Sequence, residues 1–182
     1  MARLPYVDFD NPPDPIRDTL ERIPVDLNIF KMIANAETCF RPFLRLGSAI
    51  LAQQDFDDKL RELVILQVGR QWNGRYEWEQ HVPIAEALGV DADQIAAIDT
   101  GDLGASCFDE VEKAVLAFTR EVVEEGKPSD ATFAAAAERL SAREIVEMLL
   151  TIGFYSMVAM VTESTGIEID EPVGMAVIDS AK

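Results

Sequence analysis

Residues 62–81, ELVILQVGRQWNGRYEWEQH, hold the pattern on which the reading of this chain turns. With Leu60 just upstream, Leu63, Val64, Ile65, Leu66 and Val68 are apolar nearly all round a helix, so this helix is expected to be central. Asp57 can cap its start, and it should run to about Gln71. Asn73-Gly74 is a turn signal. Tyr76 to Leu88 reads as the next helix, with Gly89 at a C-cap position. The same stretch carries the only histidine. His81 lies one helical turn after Glu77, so the two share a face, and Ile84, Ala85 and Leu88 continue the stripe. A carboxylate and an imidazole on an apolar face are costly unless paired. Proton transfer is a natural use of such a pair. Plainer roles stand beside it: Glu62 as an ion-pair partner of Arg61, Arg70 or Arg75, and Glu77 with His81 as a structural hydrogen bond.

Working outward, the chain keeps helical spacing and shows no convincing period-two alternation, so the expected class is all-α. Residues 1–15 are proline-rich and read as an extended arm that wraps the body or a neighbouring subunit. Short helices are expected over Ile16–Arg22, broken by Pro24, and over Asn28–Ala34. Glu37–Leu51 follows, with Pro42 tolerable only near its start. Asp91 caps a short helix to about Ile98, and Asp109–Glu125 forms another, stopped by Gly126 and Pro128. Ser129 and Ser141 are N-caps of the last two helices, and Ser141 to Glu144 fits a capping box. The final helix should reach about Ser164. The tail, 166–182, shows little pattern. The whole, 1–182, reads as one domain with a sizeable core.

Thirty-three Asp+Glu against 16 Lys+Arg give a formal charge of −17. That field repels nucleic acid and anionic membrane surfaces, so neither is expected as a partner. The N-terminus lacks the apolar core of a signal peptide. The longest apolar run, Met148–Val161, is shorter than the ~20 residues of a membrane span, which suggests a buried helix in a cytoplasmic protein. Cys39 and Cys107 form no CxxC and read as small buried thiols. Arg41 and Arg45, one turn apart, could hold a substrate carboxylate by bidentate hydrogen bonds or serve surface or intersubunit salt bridges. Trp72, Tyr76, Trp78 and Tyr155 are aromatic candidates for a pocket wall or for plain core.

RELVIL (61–66) followed by NGRYEWEQHVPIAEALGV (73–90), with FRPFLRLG (40–47) upstream and EIVEMLLTIGFYSMV (144–158) downstream, resembles the carboxymuconolactone decarboxylase family, which includes the AhpD-like alkylhydroperoxidases. The resemblance covers roughly Asn28 to Thr165. It implies an AhpD-like helical bundle, homo-oligomers that are commonly trimers or hexamers, and a proton relay matching Glu62 and His81. The peroxidases of the family place a CxxC at what are here Gly74 and Glu77, so both redox thiols are absent. A thiol peroxidase needs an attacking thiolate and a resolving thiol. Glu77 puts a base where the family has a soft nucleophile. The implied chemistry is then cofactor-independent and metal-free acid–base work on a small, aromatic-derived organic acid or lactone. Decarboxylation leads, with Glu77 and His81 as base and acid and Glu62 tuning His81. An antioxidant protein with a degenerate thiol site and a non-catalytic small-molecule binding protein are the alternatives.

Overall fold

The computed structural model describes residues 1–21, 23 and 25–181, with the side chains of 180 and 181 left aside. Among these residues every regular element is a helix: α1 (Asp14–Leu20), α2 (Asn28–Ile33), α3 (Glu37–Ala52), α4 (Asp58–Trp72), α5 (Arg75–Ala87), α6 (Ala92–Thr100), α7 (Glu110–Glu125), α8 (Asp130–Ala137), α9 (Ala142–Thr165) and α10 (Ala176–Ala181). The all-α expectation holds. Arg22 and Pro24, the expected end and breaker of the first helix, lie outside the described residues.

The all-round apolar pattern of α4 has the predicted consequence. Every residue from Arg61 to Gly69 is buried, and α4 packs on α5, α7 and α9 at the centre of the molecule. Each fully buried Leu, Ile or Val there is worth about 1.5–3 kcal/mol of transfer free energy. The chain reverses after α4 through Asn73, which takes the left-handed conformation (φ 52°) that Asn tolerates better than most residues. Gly74 then caps α5. On the opposite side of α4, Leu63 and Leu66 meet Ala85, Ile98, Phe108 and Leu116 in a second apolar cluster under α6 and α7.

Asp57, Ser129 and Ser141 accept the backbone N–H bonds expected of N-caps, and Asp91 and Asp109 complete capping boxes. Pro42 falls in the second turn of α3, deeper than expected, and the neighbouring Phe43 stacks on Phe154 of α9 with ring centroids 4.9 Å apart. α5 also carries an internal proline, Pro83. Cys39 is exposed and Cys107 half-buried, so the reading of both as buried thiols is corrected; Cys39 lies in the first turn of α3, on the side away from the core.

The arm wraps its own chain. The Arg3 N–H donates to the Thr165 carbonyl (2.7 Å) and the Val7 N–H to that of Lys31 (3.1 Å). The Tyr6 hydroxyl donates to Glu168, which also pairs with the terminal ammonium. The tail is more ordered than its sequence suggested: Ile167 and Ile178 are buried, and α10 closes the chain against α3. By length and composition alone α9 could cross a membrane, although half of its apolar window is buried in the protein body. The helix runs from the expected Ser141 cap to Thr165, one residue beyond the expected end near Ser164.

Candidate functional site

α4 and α5, side by side, bring Glu62 and His81 together. His81 Nδ1 lies 2.8 Å from Glu62 Oε2. Glu62 has no exposure and His81 is 8% exposed. A carboxylate on Nδ1 fixes the proton there in the neutral ring and leaves Nε2 as the acceptor. The other Glu62 oxygen takes Arg61 Nε at 3.1 Å, and Arg61, 1% exposed, also pairs with Asp58. A buried carboxylate is tolerable here because two donors share it. The Tyr155 ring stands edge-on to the imidazole, with centroids 4.9 Å apart. Burial pushes the Tyr155 phenol well up, and the nearby Glu62 adds to the effect, so it stays neutral.

Glu77 shares the helix face of His81 as its spacing predicts, but the carboxylate bonded to His81 is Glu62. Glu77 Oε1 instead receives Thr162 Oγ1 at 3.0 Å, and Oε2 is buried without a hydrogen-bond partner. Burial raises its proton affinity, against the lowering effects of its own backbone N–H, Thr162 and His81. A Cβ placed on Gly74 would collide with Glu77 Oε2. Gly74 thus leaves room for the Glu77 carboxylate, which a side chain at 74 would push aside.

His81 and Glu77 form the polar end of a cavity of about 160 Å³. Its walls come from Leu27, Ile29 and Phe30, from Phe43, Leu44, Gly47 and Leu51 of α3, and from Ile84 of α5. Phe154, Tyr155 and Val158 of α9 close another side, and Val173 and Val177 of the tail close the last. Gln80 is in the lining too; its Nε2 donates to the Asp170 carbonyl at 2.8 Å. The Tyr76 hydroxyl and the Asn28 N–H donate to the Asp170 carboxylate at 2.7 and 2.8 Å. Burial and that carboxylate push the Tyr76 phenol up.

Of the residues singled out in the sequence, Glu77, His81, Tyr76 and Tyr155 line the cavity, and Glu62 stands directly behind His81. Trp72 does not line it and is exposed, and Trp78 packs in the second cluster. Arg41 and Arg45 are exposed on α3 and absent from the lining of this cavity, a placement that fits the surface or intersubunit role also expected of them. α3 turns its apolar face, carrying Phe43, Leu44 and Gly47, to the cavity and leaves the arginines outside. The sequence reading missed Gln80, Thr162 and Asp170. Only Gln80, one residue from His81, had a positional signal. Among the described residues no three His, Cys, Asp or Glu side chains are grouped to hold a metal ion.

The sequence model of the carboxymuconolactone decarboxylase family matches residues 38–121, which contain Glu62, Glu77 and His81. No curated protein matches the chain. Solved structures similar to this chain agree in fold. An uncharacterized peroxidase-related protein from Ralstonia eutropha, described as an alkylhydroperoxidase AhpD core, superposes with a TM-score of 0.78 at 17% identity, over 97% of this chain and 94% of that one. A peroxidase-related protein from Silicibacter gives 0.77 at 16% identity, over 93% and 92%. A protein of unknown function from Agrobacterium tumefaciens gives 0.68 at 18% identity, over 75% and 94%. The chain therefore has the AhpD-like helical fold, as its motifs implied.

Proposed function

We propose that this protein is a cofactor-independent acid–base enzyme, a lyase or isomerase, that moves a proton on a small organic molecule held in the cavity beside His81. The 2.8 Å contact between Glu62 and His81 at the polar end of an apolar cavity carries this reading. His81 Nε2 takes a proton from an acidic carbon. Glu62, itself held by Arg61, stabilises the imidazolium that forms. The proton then returns to a different carbon, giving an isomer, or leaves with a group expelled from the adjacent carbon, giving the elimination product. Glu77, with its raised proton affinity, is suited to act as the neutral acid on a developing oxyanion. Of the organic acids and lactones suggested by the family, lactones suit the apolar walls better.

A second reading, a binding protein that has kept the cavity without the chemistry, is favoured by the loss of both thiols at 74 and 77. A thiol peroxidase has less support, since neither Cys39 nor Cys107 lines the cavity.

Candidate lactones and cyclic ketones incubated with the protein in deuterium oxide, followed by NMR, test the first reading. Exchange or turnover should fall by about 10²–10⁴ in His81→Asn and Glu62→Gln. Binding without exchange for every compound would leave the second reading.

A further inference from the structure

The cavity's chemistry is one-sided. Among the described lining residues there is no Lys or Arg, and the one ionisable acid is Glu77. Arg61, fully buried nearby, is engaged by Glu62 through Nε and by Asp58 through Nη1, keeps Nη2 without a partner, and is not part of the lining. A carboxylate entering this space would lose its hydration, meet Glu77, and find no described cation to compensate it. The net charge of −17 works against its approach as well. An uncharged ring would meet none of these costs and would bury its faces against Phe30, Phe43, Phe154 and Val158. The volume, about 160 Å³, is close to that of an apolar cavity of ~150 Å³ known to take up benzene. Among the described residues nothing is hydrogen-bonded to His81 Nε2, so this nitrogen offers an acceptor to a donor on the ligand.

We propose that the site takes an uncharged, single-ring-sized apolar molecule with one hydrogen-bond donor turned toward His81, and discriminates against the corresponding carboxylate. The orientation of the ligand rests on the base role of His81 proposed above; the exclusion of charge rests on the lining alone.

Benzyl alcohol and benzoate share a ring and differ in charge, which makes them suitable probes. Calorimetric titration of the wild-type protein near neutral pH should show benzyl alcohol binding at least tenfold more tightly than benzoate. Val173→Trp, which fills the cavity from the tail without altering a core helix, should abolish that binding while circular dichroism stays unchanged. A preference below tenfold, tighter binding of benzoate, no saturation by benzyl alcohol at millimolar concentration, or full binding by a folded Val173→Trp protein would each overturn the proposal. The two readings fail separately. Selective uptake of benzyl alcohol with no proton exchange on any compound would remove the base role and leave the ligand class standing. Exchange on compounds that bind as carboxylates would do the reverse.

Discussion

Glu77 is the residue whose environment differs most from what a carboxylate prefers. One oxygen has Thr162, and the other faces Gly74 with no partner. Its raised proton affinity has a definite sign for stability. Below the ordinary carboxylate range, folded and unfolded chains both hold the proton, and the group's contribution is fully present. As pH rises toward the raised folded value, the unfolded chain releases its proton first and that contribution is lost. Glu77→Gln cannot ionise, so its advantage over wild type should grow as pH rises above the ordinary carboxylate range, read as a rising difference in urea midpoints. A constant difference would mean that the carboxyl is not held in the way its surroundings indicate. At this scale the sequence spoke clearly about which residues matter and less clearly about who bonds to whom. Helical spacing reports only neighbours on one helix, so it pointed to Glu77 as the partner of His81. Glu62 reaches His81 from a different helix, a relation that only packing creates. For Arg41 and Arg45 the spacing gave a shared face of α3 but did not say that this face is the outer one.

Among the elements, the helix starts were the most legible, because Asp57, Asp91, Ser129 and Ser141 advertise themselves by residue type. Their connections were not legible. Gln94, in the capping box of α6, donates Nε2 to Glu112 at 2.8 Å, and Glu112 is the return acceptor in the capping box of α7. Lys59 of α4 completes the cluster through Glu112 at 2.7 Å. Two helix starts are thereby tied to each other and to the central helix. Gln94→Ala leaves a buried carboxylate oxygen short of a donor and should cost about 1–3 kcal/mol in chemical denaturation. A loss within error would show that water replaces the amide at no cost. α10 was invisible for the opposite reason: six residues without a cap signal are held by packing rather than by propensity.

For the molecule as a whole, the outer face of α9 stands out. Val146, Leu150, Gly153, Met157 and Met160 recur at spacings of four and three residues, and all are exposed. Leu149 and Phe133 of α8 add to the apolar surface. A seam of that period is built to meet another helix. Light scattering should therefore give a multiple of 20.2 kDa, and Leu150→Glu should reduce it to the monomer mass. A wild-type monomer at micromolar concentration would leave the seam without a role. The tail contributes something different. Residues 167–178 lie over the cavity, with Asp170 fastened to Asn28, Tyr76 and Gln80. A ligand whose route runs under this segment meets an opening step that costs the same whatever the ligand is. Association rates should level off as ligand concentration rises, and residence times should be long for the affinity. Asp170→Asn weakens the fastening at its charged end. It should speed arrival and departure together, several-fold each, while the equilibrium constant hardly moves, and stopped-flow measurement of both rates would reveal the change.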